Sequence, residues 1–217
     1  MKTSDIGLLT SYKNKKMKKA LIIVDVQNDF CEGGALAVPE ANTIIPYINL
    51  LMEENEYDQI VLTQDWHPAN HKSFASNNDK KVGESVELNG NSQFMWPDHC
   101  VQGSFGAEFH KDLNVEKVTH IVQKGKNPEV DSYSGFQDNN QLVKTDLEDY
   151  LRFKDIELVE IVGLALDYCV KYTCIDAANA GFITCLHYKG TKAVNVKPGN
   201  DKDAIIELLE NNVTILS

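Results

Sequence analysis

Four short segments combine residue types that could do nucleophilic, acid–base or metal chemistry. They are Asp25-Val26-Gln27-Asn28-Asp29-Phe30, Gln64-Asp65-Trp66-His67-Pro68-Ala69-Asn70-His71, Lys124-Gly125-Lys126-Asn127-Pro128 and Gly163-Leu164-Ala165-Leu166-Asp167-Tyr168-Cys169-Val170. Cys169 falls in the first turn of a predicted helix. There the helix dipole and free N–H groups lower a thiol pKa and can hold an oxyanion. Among the five cysteines (Cys31, Cys100, Cys169, Cys174 and Cys185) it alone has a physical case as a nucleophile, whereas Cys174 lies on an apolar stripe and reads as packing. Asp25 sits where a strand leaves its sheet, so partial desolvation would push its carboxyl upward; a turn-capping aspartate is the plain alternative. Gly125 lets the chain turn sharply and could bring the Lys124 ammonium into a cleft, although a lysine at a strand end is often simply solvated.

The second segment has metal-ligand character. Residues two apart in an extended chain point the same way, so Asp65 and His67 share a face. A carboxylate and an imidazole suit a divalent ion, with His71 or His99 as third ligand, the latter in Trp96-Pro97-Asp98-His99-Cys100. Four of the six histidines (His67, His71, His99 and His110) lie between positions 64 and 110.

Elements must bring these segments together. Six apolar, β-branched runs (20–24, 59–63, 120–123, 157–163, 182–186 and 213–216) are continuous rather than alternating, as in parallel strands covered on both faces. Between them lie helical stripes: Ile44, Ile45, Ile48, Leu51 and Met52; Leu142, Val143, Leu147, Tyr150 and Leu151 within 140–153; Leu166, Val170, Thr173, Cys174 and Ala177, ended by Gly181; and Ala204, Ile205, Leu208 and Leu209. The alternation predicts an α/β fold, a three-layer α/β/α sandwich around a mostly parallel six-stranded sheet with right-handed crossovers. Sites in such sheets lie beyond the carboxyl ends of the strands, where all four segments fall. Residues 64–105 lack periodicity and read as a long functional loop.

The 217 residues suit one domain, expected over 19–217, after a basic tail over 1–18 that is expected to be disordered. Residues 1–19 hold six lysines and one aspartate, and their apolar stretch is shorter than a secretory h-region. A net charge of −11 argues against nucleic acid, and the apolar runs are too short to span a bilayer. The odd number of scattered cysteines reads as reduced thiols in the cytoplasm.

Six motifs in this order resemble the isochorismatase-like cysteine hydrolase family, and within it the pyrazinamidase/nicotinamidase branch. They are Asp-Val-Gln-Asn-Asp-Phe (25–30), Asp-Trp-His-Pro-x-x-His (65–71), Trp-Pro-x-His-Cys-Val (96–101), Lys-Gly (124–125), Tyr-Ser-Gly-Phe (133–136) and Gly-Leu-Ala-Leu-Asp-Tyr-Cys-Val (163–170). The resemblance covers about residues 19–217. It implies Asp25, Lys124 and Cys169 as the catalytic triad, and Asp65, His67 and His99 as ligands of one divalent ion, zinc foremost, with iron or manganese as alternatives. It leaves His71 as an extra ligand or a group just outside the ligands. Phe30 and Trp96 would sandwich a pyridine ring lined by Tyr133 and Tyr168. A cis peptide would precede Ala165, whose N–H, with that of Cys169, would form an oxyanion hole. Leu164 stands where relatives often carry Val, and the segment from Lys124 to Tyr133 is longer than expected.

The implied reaction is hydrolysis of nicotinamide to nicotinate and ammonia through a thioester, in NAD salvage. The partner is a small-molecule substrate, with analogues such as pyrazinamide and a homo-oligomeric state left open. Three competing readings are a metal-free relative acting on another amide or on isochorismate, a metallohydrolase using metal-bound hydroxide, and a catalytically silent binder. The metal-ligand set speaks against the first, and the intact triad against the third.

Overall fold

The computed structural model describes residues 16–88 and 90–217. Of the expected basic tail, residues 1–15 lie outside the described residues; Lys18 contributes a backbone carbonyl that accepts the N–H groups of Glu157 and Leu158. The strands are β1 (Lys19–Val24), β2 (Gln59–Asp65), β5 (His120–Lys124), β6 (Leu158–Leu164), β7 (Ile183–Lys192) and β8 (Thr214–Leu216). They form one sheet in the order β5-β2-β1-β6-β7-β8, with every pairing parallel. The chain starts near the middle, winds outward through β2 and β5, then returns to lay β6, β7 and β8 on the other side of β1. The order therefore reverses between β1 and β6, and a crevice opens beyond their carboxyl ends.

Strand periodicity divides the core. Ala20, Ile22 and Val24 of β1 face one layer, packed with Leu147 and Leu151 of α2 (Leu147–Phe153), Cys174 and Ala177 of α3 (Lys171–Asn179) and Leu208 of α4 (Asn200–Glu210). Leu21 and Ile23 face the other, against Ile45, Ile48 and Met52 of α1 (Ile45–Glu54). Pro46 is tolerated because it falls in the first turn of α1, where its missing N–H costs no helical bond. No helix among the described residues is long and apolar enough to cross a membrane.

Four expectations need correction. The stripe over 140–153 becomes helical only at Leu147, and Leu142 and Val143 are exposed. The Asp138 carboxylate accepts the N–H groups of Leu142 and Val143, holding the segment in a turn in place of the helix. The aperiodic segment contains an antiparallel hairpin, β3 (Ser85–Leu88) with β4 (Asn91–Phe94). The stripe beginning at Leu166 is not one α-helix: residues Leu166–Val170 form a wider π-helical turn before α3. In α4 the stripe buries Ala204 and Leu208 but leaves Leu209 exposed.

On the α1 side of β6, Glu160 accepts from Tyr57 Oη at 2.6 Å, pairs with His187 Nε2 at 2.7 Å and is reached by Lys19 Nζ at 3.3 Å. Burial works against the charge, yet these partners hold the carboxyl down to about 2, below an ordinary glutamate near ~4.3. Because the folded-state value is depressed, the charged group contributes stability above the unfolded value, and that contribution is lost as pH falls toward 2. The urea midpoint of the wild type should drop between pH 6 and pH 2.5 more steeply than that of Glu160→Gln, which should cost about 1.5–3 kcal/mol at neutral pH. Equal pH slopes in the two proteins would show that Glu160 does not carry this acid sensitivity.

Candidate active site

The carboxyl ends of β1, β2, β5 and the loop after β6 deliver the site. The chain turns away after β1 at Asp25, whose φ is 49°. Gln27 then ties this end to that of β2: its amide donates to the carbonyls of Asp65 and Ala107, and its Oε1 accepts the Asp65 N–H. Between β1 and β6 the backbones nearly touch. A Cβ on Gly163, which has φ 117°, would lie 2.1 Å from the Val24 carbonyl oxygen, so only glycine allows the approach.

Lys124, the last residue of β5, is 1% exposed. Its ammonium donates to Asp65 Oδ1 at 2.5 Å, to the Ser132 carbonyl at 2.9 Å and to Cys169 Sγ at 3.4 Å. Asp25 Oδ2 lies 2.9 Å from Nζ but has no hydrogen-bond partner, while Asp25 Oδ1 accepts from Thr63 Oγ1 at 2.6 Å. The triad expected from sequence is therefore assembled in space.

Electrostatics differ from the sequence expectation at one member. Burial pushes the Asp25 carboxyl upward against the pull of Lys124, as expected for a desolvated carboxylate. Burial also raises the Cys169 thiol well above its ordinary range, opposed by Lys124. The lowering expected from a helix first turn is thus outweighed by desolvation. Asp65 is the reverse case: burial alone would raise it, but Lys124 and the histidines hold it well below the usual carboxylate range.

The other Asp65 oxygen faces the histidines. His67 Nε2 lies 3.6 Å and His99 Nε2 3.9 Å from Asp65 Oδ2. Both rings place Nδ1 on a backbone carbonyl, Gly125 O at 2.9 Å and Pro97 O at 2.8 Å, so Nδ1 carries the proton and Nε2 presents a lone pair. A Cβ on Gly125 would lie 2.4 Å from the His67 ring, so glycine is required here for that contact. One ligand atom from each of Asp65, His67 and His99 falls within 4.8 Å of the others, and His67 Nε2 is buried without a hydrogen bond. Two bare imidazole nitrogens and a carboxylate oxygen fit a divalent cation.

His71 is packed against them, its ring 4.3 Å from that of His67. Its Nδ1 meets the Ser73 N–H and lies 2.7 Å from Ser73 Oγ, and burial beside His67 pushes the imidazole down to about 4. Its Nε2 is buried without a hydrogen bond, and with His67 and Asp131 it forms a second group that could hold a cation. His110 lies outside the cluster, beside Asp112.

A narrow cavity opens over Cys169 between Phe30, Trp96, Tyr133 and Tyr168. Trp96 Nε1 donates to Tyr133 Oη at 3.2 Å, and the Trp96 and Tyr168 rings meet edge-on at 5.0 Å. Ala165 lines the same cavity, and the Leu164–Ala165 peptide is cis. The sequence pattern did not single out Gln27, Thr63, Phe74 or Asp131. Phe74 packs against the His67, His71 and His99 rings. Asp131 lines the cavity and accepts from Gln93 of the hairpin, and its only signal was a lone carboxylate two residues before Tyr133.

Residues 19–217 match the isochorismatase domain. The chain is 42% identical to the nicotinamidase of Escherichia coli (strain K12) over 199 residues, covering 91% of this chain and 93% of the relative. Its structure is similar to that of the Acinetobacter baumanii nicotinamidase/pyrazinamidase, with a TM-score of 0.89, 41% identity, and coverage of 94% of this chain and 97% of that one. It is also similar to the pyrazinamidase of Pyrococcus horikoshii in complex with zinc, with a TM-score of 0.74, 37% identity, and coverage of 92% and 99%. With this match spanning nearly its full length, the chain belongs to the isochorismatase family.

Proposed function

We propose that this chain hydrolyses nicotinamide to nicotinate and ammonia in NAD salvage, with Cys169 as nucleophile, Asp25 as proton carrier and Lys124 as the cation serving both. One observation carries the mechanism: a fully buried ammonium lies 3.4 Å from the thiol and 2.9 Å from an oxygen of the Asp25 carboxylate. Asp25 Oδ2 takes the thiol proton, and the thiolate attacks the carboxamide carbon. The Ala165 and Cys169 N–H groups hold the oxyanion. An amide nitrogen leaves only when protonated, and Asp25 returns its proton to the departing ammonia. Asp25 then accepts a proton from the water that opens the thioester, which releases nicotinate and restores the thiol. Phe30 and Trp96 clamp the pyridine ring, with Tyr133 and Tyr168 around it, so the reacting carbon is oriented before attack.

Asp65, His67 and His99 would hold a divalent metal ion. When bound, it supplies a Lewis acid for the pyridine nitrogen and so orients the substrate. Zinc is the proposed ion, supported by the zinc complex of the similar pyrazinamidase, with His71 beside the ligand set. Pyrazinamide is a proposed second substrate, since the cavity is lined by the aromatic side chains of Phe30, Trp96, Tyr133 and Tyr168. The five cysteines are unpaired, which supports a cytoplasmic setting, and residues 19–217 are proposed as one catalytic domain.

Cys169→Ala should lower kcat for ammonia release from nicotinamide by at least about 10³-fold while the metal stays bound. Substantial turnover by that variant would instead favour attack by metal-bound hydroxide. Elemental analysis should find one divalent ion per chain in the wild type and little in His67→Ala. A fully loaded His67→Ala protein would show that the ligand set is wrong.

A further inference from the structure

Resting on the mechanism above, we propose that Thr63 is a positioning residue for the reaction: its hydroxyl decides which oxygen of Asp25 exchanges protons with Cys169. Thr63 lies on β2, one strand away from Asp25, and is fully buried. Its Oγ1 accepts the Asp25 backbone N–H at 3.2 Å and donates to Asp25 Oδ1 at 2.6 Å. A hydroxyl has a single proton. With its acceptor side facing the Asp25 N–H, that proton goes to Oδ1. Lys124 donates to Asp65, Ser132 and Cys169. Oδ2 is therefore the oxygen of Asp25 left open, held 2.9 Å from the ammonium that also touches Sγ. The same hydroxyl braces the backbone where Asp25 adopts φ 49°, a region unfavourable to a side-chain-bearing residue.

The seat of Thr63 explains a glycine that no turn requires. A Cβ on Gly135 would lie 2.9 Å from Thr63 Cγ2 and 3.6 Å from Thr173 Cγ2. The Gly135 N–H donates to Thr173 Oγ1, which in turn donates to the Cys169 carbonyl at 2.6 Å. Two threonine side chains thus pack at one glycine, the hydroxyl of one bracing the proton acceptor and that of the other the backbone of the nucleophile.

The test is Thr63→Val, which keeps the shape and removes the hydroxyl, beside Thr63→Ser, which keeps the hydroxyl and removes the methyl. Steady-state ammonia release from nicotinamide, metal content and thermal midpoint are measured for both. Losing a hydrogen bond to a charged group should lower kcat of Thr63→Val by about 10- to 100-fold, with KM changed less than about threefold and the metal retained. Thr63→Ser should recover kcat to within about threefold of wild type. If Thr63→Val does not fold, Thr63→Ala removes the same hydroxyl without adding a methyl. A hydroxyl-free variant with wild-type kcat, or a serine variant as slow as the valine one, would overturn the proposal. Activity surviving in Cys169→Ala would instead overturn the underlying mechanism, so the two failures are told apart.

Discussion

The site depends on a single buried cation. Lys124 carries a full charge into an interior where an unpaired ammonium would cost several kcal/mol, and it is tolerated because Asp25 and Asp65 lie within 2.9 Å and 2.5 Å of it. Neither carboxylate is stable there without it: Asp25 is pushed upward by burial, and Asp65 stays charged only through Lys124 and the histidines. Such a cluster is poor evidence for stability, since an apolar set of similar volume is often no less stable. Its justification is chemical. Asp65 spans both halves of the site, with one oxygen on Lys124 and the other facing His67 and His99, so the proposed proton-transfer group and the proposed metal ligands share one carboxylate.

Sheet topology makes that clustering affordable in chain length. Because the strand order reverses between β1 and β6, the ends of β1, β2, β5 and β6 converge from four separate stretches of sequence. The glycine at 163 lets β6 approach β1 more closely than any side chain permits, and the glycine at 125 makes room for the His67 ring against its own carbonyl. The wide turn at Leu166–Val170 then sets Cys169 beside Lys124 at the floor of the cavity. Catalytic groups fall at strand ends, where a side chain can leave the sheet while its backbone stays anchored.

Local chemistry was legible in the sequence, and long-range hydrogen bonding was not. Continuous apolar runs located all six strands of the parallel sheet, and the Asp-x-His spacing put Asp65 and His67 on one face. Helical spacing misled at 140–153, where the Asp138 carboxylate captures the N–H groups that a helix would use. The hairpin was invisible because each strand is only four residues long and the pair forms a sheet of its own outside the main one. Thr63 and Gln27 had no pattern of their own: each matters through a partner 38 residues away in sequence. The Cys169 pKa was misjudged because helix position is local information and burial is not.

That misjudgement bears on how the chemistry runs. In water a thiol and an aspartate differ by about 4–5 pK units, so moving a proton from one to the other is uphill. Here the transfer changes no net charge: one negative charge leaves Asp25 and appears on Cys169. Lys124 lies 2.9 Å from the first and 3.4 Å from the second, so the charge stays beside its counter-ion throughout. The cation thus stabilises both the starting and the proton-shifted arrangements, with little reorganisation needed between them. Burial pushes both the thiol and the aspartic acid toward their neutral forms, and in the proposed reaction the second would make a proton available where the ammonia must leave.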